Sequence, residues 1–349
     1  MHFKIQLPDW QIKSGVSDLF KHIASLFPGP MNMQRHIRKS KLDVIFPFYH
    51  AVSDRELPHL KHLYPIRTVE QFKLDLDYML QYFQPVKMSE YLSGNIPVDP
   101  DRPPMVLSFD DGLIQCYEDV MPILISRGVP ATFFLNNAFI DNMSMFFRFK
   151  VSLLVEELEK ITPEKKYRAG QLLHCDVREI RSRLMNVNYV EREITDQVAD
   201  AWGFSFAEYM RREPVYLTSI HIKKMLDEGF EFGSHGIDHP LFALLKRQVT
   251  IDHIRSSVEG LRKRYGLDHK YFAFPFTDSG VEDSTIEHLF RNNIIDAGFG
   301  TAGLKDDKWA RYFQRIPMEL LDKDARTTLR GEINRRRVRM LAGSNLTRR

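Results

Sequence analysis

The chain has 349 residues, enough for one large α/β barrel or two ordinary domains, and 43% hydrophobic content to fill a core. Its 49 basic and 46 acidic side chains leave a net charge of +3, which excludes a general nucleic-acid-binding reading. Two cysteines, Cys116 and Cys175, exclude a disulfide framework, and no stretch of ~18 apolar residues offers a spanning helix.

Residues 1–43 read as an N-terminal amphipathic helical and basic segment. Ile12, Val16, Leu19, Phe20, Ile23 and Phe27 recur at helical spacing, and Arg35, His36, Arg38, Lys39 and Lys41 follow. Asp9, Lys13, Asp18 and Lys21 interrupt any secretory signal core, so a cytoplasmic location is expected. The segment either packs on the body of the protein, with a solvated charged turn after it, or makes peripheral contact with the anionic inner face of a membrane.

Val44–His50 reads as a buried strand ending in a histidine. Thr68 opens a helix whose apolar stripe is Val69, Phe72, Leu76, Met79, Leu80 and Phe83. A second strand, Val106-Leu107-Ser108-Phe109, runs into Asp110-Asp111-Gly112. Tyr117–Arg127 reads as helix and Ala131–Leu135 as the next strand, so the order strand, helix, strand predicts a parallel sheet. Residues 141–215 break this rhythm with charged helical pattern, and read as a helical insertion and a candidate lid. Strands return at Phe230–His235, Tyr271–Phe276, Ala297–Phe299 and Phe313–Pro317. The barrel-like part spans 44–318. The tail, 319–349, is basic from Arg330 onward and reads as a helix that frays.

The chemistry gathers at strand ends. Two adjacent carboxylates inside a strand would bury a charge, so Asp110-Asp111 belongs at the C-terminal end, where Gly112 turns the chain. Carboxylates that close hinder each other's ionisation unless a cation sits between them, so the stretch asks for a metal. Ser234-His235-Gly236-Ile237-Asp238-His239-Pro240 supplies two imidazoles four residues apart at another strand end. One carboxylate with two imidazoles makes an open metal site with room for water and substrate.

Ser-Phe-Asp-Asp-Gly and Ser-His-Gly-Ile-Asp-His-Pro resemble the first two motifs of the polysaccharide deacetylases, the NodB-homology or family-4 carbohydrate esterases. The resemblance covers roughly 44–318 and implies a distorted (β/α) barrel with fewer than eight strands. It implies Asp111, His235 and His239 as ligands of one divalent metal, zinc first, with cobalt, nickel or manganese as alternatives. It also implies Asp110 as the catalytic base. Tyr49-His50 resembles the Tyr-His on the first strand of members with a permuted motif order.

Two departures stand out. Ala273 in Phe272–Phe276 occupies the place where the family carries an Arg that orients the base, and Phe313–Pro317 lacks the family's usual acid histidine. His50 is then the candidate acid, with Asp278 and Arg315 as candidate replacements for the orienting and charge-balancing groups. Tyr49, Phe276, Asp278 and Arg315 make up the candidate substrate-binding set. The expected activity is metal-dependent removal of the N-acetyl group of an amino sugar, in a glycan or a lipid- or nucleotide-linked precursor. The alternative is a metal- and glycan-binding homologue without turnover. No protein partner is expected.

Overall fold

The computed structural model describes residues 33–96, 99, 101–319 and 323–349. The predicted helix across Ile12–Phe27 lies outside the described residues. Ten strands are present among the described residues: β1 (Pro47–Tyr49), β2 (Gln84–Pro85), β3 (Pro104–Met105), β4 (Leu107–Phe109), β5 (Ala131–Leu135), β6 (Glu231–Ser234), β7 (Tyr271–Ala273), β8 (Ala297–Gly300), β9 (Tyr312–Gln314) and β10 (Ile316–Pro317). β2 and β3 pair by themselves, and the other eight form one parallel sheet in the order β10-β1-β4-β5-β6-β7-β8-β9.

The expectation of fewer than eight strands is therefore corrected to eight. The stretch Phe313–Pro317, read as one strand, is divided at Arg315. β9 bonds to β8 on one sheet edge, while β10 bonds to β1 on the other. The backbone of Arg315 donates to Gly300 at 3.0 Å and that of Ile316 to Phe46 at 2.8 Å, so the partner changes within one residue. That single residue joins the two edges of the sheet and nearly closes the barrel.

Strand alternation decides what each residue meets. Inside the barrel, Phe134 on β5 touches Phe299 on β8, which is no neighbour of β5 in the sheet, with ring centroids 5.3 Å apart. Phe109, Phe133 and Leu107 face the other way, into a layer with Phe72, Leu76 and Met79. Those three lie on the helix Val69–Tyr82, which begins with a capping box: Thr68 accepts from the Gln71 backbone at 3.2 Å, and the Gln71 side chain accepts from the Thr68 backbone at 3.0 Å.

The helical region splits into a second compact unit, made of 57–63 and 147–206 among the described residues. Its helices include Phe147–Glu157, Pro163–Leu173, Ile180–Met185 and Ile194–Trp202. Thr162 caps the second of these with Pro163 in its first turn. Val151, Leu154, Leu173, Leu184, Val198 and Trp202 are buried. The flanks of the predicted insertion, 141–146 and 207–215, group with the barrel instead.

The C-terminal region differs from the frayed helix expected. Ala325–Leu341 is a helix capped by Asp324, with Leu329 and Ile333 buried. Several of its arginines have partners in the fold: Arg336 pairs with Asp306 at 2.6 Å, and Arg339 donates to the Leu304 carbonyl at 3.1 Å. Ion pairs and hydrogen bonds made far along the chain hold this region, and the local sequence does not show them.

Candidate active site

Asp110 and Asp111 follow β4 directly, and His235 follows β6, so all three stand at the C-terminal mouth of the barrel. The backbone of Asp110 still donates to Tyr49 at 2.9 Å, and that of His235 to Leu135 at 2.8 Å. The chain then turns sharply. Asp111 (φ 69°), Gly112 (φ 64°) and His239 (φ 60°) all lie in the left-handed region. For Asp111 and His239 this costs on the order of 1–3 kcal/mol each, a strain that clusters at functional sites. Gly112 has a second reason to lack a side chain, because a Cβ there would meet Leu135 Cδ2 at 2.7 Å.

Ligand atoms from Asp111, His235 and His239 all lie within 4.8 Å of one another, and all three residues are buried. His239 Nε2 comes within 3.1 Å of Asp111 Oδ1, yet that buried oxygen accepts no hydrogen bond. His235 Nδ1 is committed to the Ala273 carbonyl at 2.8 Å, which leaves Nε2 facing Asp111 at 3.6 Å. A backbone carbonyl behind one ring nitrogen is the usual second-layer support of a metal-binding histidine. An unsatisfied buried carboxylate oxygen, two imidazoles and short mutual distances fit a divalent metal ion. Burial lowers the His235 pKa to about 4, keeping the ring neutral and able to bind a metal. Burial opposes ionisation of Asp111, but His239 and His50 outweigh it and hold the carboxyl well below its ordinary value.

Asp110 lies beside this triad, its Oδ2 3.7 Å from His235 Nε2. The Arg315 guanidinium grips it with two parallel bonds, Nη1 to Oδ1 at 2.6 Å and Nη2 to Oδ2 at 2.8 Å. Arg315 is 0% exposed and lies against the rings of Phe48 and Phe134, at 4.3 and 5.1 Å. Burial alone would raise the Asp110 pKa; Arg315 reverses that and holds it below the ordinary carboxylate value. A buried arginine, absent from position 273, thus stands at the junction of β9 and β10 instead.

His50 follows β1 and is half-buried. Glu319, a residue the sequence reading missed, receives the His50 ring nitrogen Nδ1 at 2.7 Å and the backbone N–H groups of His50 and Ala51 at 3.0 and 3.1 Å. Burial works against the imidazolium, but the Glu319 carboxylate overcomes it and raises the His50 pKa to about 9. Glu319 follows β10 as Asp110 follows β4, so an acidic residue two positions past the last strand was the signal available.

Of the other candidates, Phe276 reaches the triad, whereas Tyr49 and Asp278 are bonded to residues outside it. Tyr49 is fully buried on the outer face of β1, its hydroxyl donating to Asp75 at 3.1 Å and its ring 5.2 Å from Phe72. Phe276 (φ 58°) stands edge-on to His239 at 4.6 Å, and Phe146 lies 4.2 Å from the same imidazole. Nothing local in the sequence marked Phe146. Asp278 is bonded to Tyr312, Gln314 and Arg349 instead of to Asp110.

The polysaccharide deacetylase family matches residues 98–170 and 192–291, a span that holds Asp110, Asp111, His235 and His239. The chain carries a polysaccharide deacetylase domain. This is the fold of metal-dependent carbohydrate deacetylases, here with an Asp-His-His triad able to hold a divalent metal ion. Solved structures of the same fold include IcaB from Ammonifex degensii, 16% identical over 84% of this chain and 97% of that one, with a TM-score of 0.51. Another is the Streptococcus pyogenes deacetylase PplD in complex with acetate, 15% identical over 83% of this chain and 97% of that one, with a TM-score of 0.52. No curated protein matches the chain by sequence. His50, Arg315 and Glu319 all lie outside the residues matched to the deacetylase family.

Proposed function

We propose that this deacetylase domain hydrolyses the N-acetyl group of an amino sugar, in a glycan or a lipid- or nucleotide-linked glycan precursor. The observation that carries the reading is Asp110: a buried carboxylate beside the metal triad, kept ionised by Arg315 and free of any ligand role in that triad. When bound by Asp111, His235 and His239, a divalent metal supplies a water acidic enough to react near neutral pH and a Lewis acid for the amide carbonyl. Zinc is the first candidate, with cobalt, nickel or manganese as alternatives.

Asp110 takes the proton of the attacking water as that water adds to the acetyl carbon. Arg315 keeps its two oxygens in place and its charge intact until then. An amine is a poor leaving group unless protonated, and His50, a cation at neutral pH through Glu319, donates that proton to the nitrogen. The C–N bond breaks, leaving acetate and the free amino sugar. The reading as a binding protein without turnover drew on the missing arginine and histidine. In the roles proposed here, Arg315 and His50 would supply those groups.

Among the described residues no helix is long and apolar enough to cross a membrane. A peripheral contact with anionic lipid belongs to the same proposal. It draws on Val338, Leu341 and Leu346, which are exposed among the C-terminal arginines. Acetate release from nucleotide-linked, lipid-linked and free N-acetyl sugars, with zinc and with chelator, tests the activity. Release that stops on chelation supports it. Metal-loaded protein that releases acetate from none of the three classes overturns it.

A further inference from the structure

Arg349 has no part in the chemistry above, yet its guanidinium is heavily bonded. Its side chain is 2% exposed and lies between two carboxylates that are also buried. Nε donates to Asp278 Oδ2 at 3.0 Å, and Nη2 stands 2.9 Å from the same oxygen. Nη2 and Nη1 also reach Asp307 Oδ2 and Oδ1, at 2.6 and 3.3 Å. The guanidinium lies over the ring of Tyr312 at 4.3 Å and that of Trp309 at 5.1 Å. Two buried carboxylates and two aromatic faces surround one planar cation, with the half-exposed Asp283 3.6 Å from Nη1; together they form a guanidinium cage, suited to a five-donor fork and not to a point charge.

Asp278 and Gln314 tie the cage to the active site. Asp278 is two residues past Phe276, whose ring stands against the metal-ligating His239. Gln314 donates to both cage carboxylates, at 3.0 Å to Asp278 and 3.1 Å to Asp307, and the next residue is Arg315, which holds Asp110. Gly300 makes the approach feasible: a Cβ there would meet Asp278 Oδ1 at 2.6 Å. Without a cation, two buried carboxylates would share Gln314 and repel each other, and water or movement of the loop would have to relieve them. Movement of that loop would displace the backbone that carries Phe276 and Arg315.

We propose that Arg349 is a positioning residue of the deacetylase. By filling a guanidinium cage formed by Asp278, Asp307, Trp309 and Tyr312, it sets the Phe276 loop against His239 and Arg315 against Asp110. The link to turnover rests on the deacetylase reading; the cage itself does not.

Arg349→Ala tests both parts. Metal affinity should be unchanged, because no metal ligand is touched, while kcat falls on the order of 10- to 100-fold, the scale of a misplacement of about 1 Å. Guanidinium chloride at about 0.05 M, far under the molar range in which it denatures, should restore kcat to within a few-fold. Sodium chloride at the same ionic strength should not. Trp309 fluorescence should titrate saturably with guanidinium in the variant and not in the parent. A kcat within twofold of the parent, or a loss that guanidinium leaves unrepaired, overturns the positioning role. Linear, non-saturating fluorescence overturns the cage. If Arg349→Ala does not fold, Arg349→Lys keeps the charge and loses the fork; it should lower kcat at least threefold, and parent-like turnover refutes the proposal. A parent that releases no acetate overturns the deacetylase reading instead, and the fluorescence titration still decides the cage.

Discussion

Asp111, His235 and His239 leave β4 and β6, strands separated only by β5, through tight turns within a few residues of the strand ends. Asp110, His50, Arg315 and Glu319 meet across a different part of the barrel, where β4, β1 and β10 lie side by side and the sheet nearly closes. The first group holds its geometry by local backbone strain, with Asp111 and His239 both at positive φ. The second holds it by two carboxylate–cation pairs between residues more than 200 positions apart, Asp110 with Arg315 and His50 with Glu319. Binding a metal needs donor atoms at short range, which a strained turn provides. Keeping the proposed base ionised and the proposed acid protonated in one buried cleft needs opposite charges, which the closing strand brings in.

Breaking the two groups separately should give different losses. Asp111→Ala or His239→Ala should abolish both metal binding and acetate release. Asp110→Asn should keep the metal, seen by calorimetric titration, while losing turnover by ~10²–10⁴-fold, the range of a general base. Retained turnover in Asp110→Asn would place the base elsewhere.

Arg315→Met acts first on stability. It strands a buried carboxylate, and urea unfolding of the metal-free protein at neutral pH should show a loss of ~3–5 kcal/mol. The sign follows from the lowered Asp110 pKa. The pair stabilises above the unfolded carboxyl value of about 4 and is lost as pH falls through the lower folded value, so the gap between parent and variant should narrow in acid. A gap that widens in acid would contradict the pairing.

Glu319→Gln should leave metal binding alone and alter the pH profile. The His50 pKa is raised to about 9, so turnover should decline as pH rises through that value. Its contribution to stability is complete below the unfolded imidazole value of about 6.5 and disappears as pH rises through about 9. In the variant the falling limb should move toward 6.5; an unmoved limb would assign it to another group.

The smallest effect is expected at Tyr49→Phe. Its hydroxyl serves Asp75 in the outer layer, so kcat should stay within twofold while stability drops by ~1 kcal/mol. A large loss of kcat would bring Tyr49 back into the site.

Asp110-Asp111-Gly112 and His235–Pro240 were readable because each motif is contiguous, and because charge at a strand end is costly unless it serves a site. Alternation along β1 also separates His50, on the inward face, from Tyr49, on the outward one, although the two were read together. The capped helix Val69–Tyr82 and the parallel order of strands follow from local pattern alone. The strand count did not, since one residue, Arg315, turns a single stretch into two strands with different partners. Nor did the partners of the proposed base and acid: Arg315 lies 205 residues from Asp110 and Glu319 lies 269 from His50. Periodicity is set by neighbours along the chain, so the sequence determined most elements, their facing and the candidate metal triad. Which charges meet in the buried cleft depends on how the barrel nearly closes, and only the tertiary structure decided that.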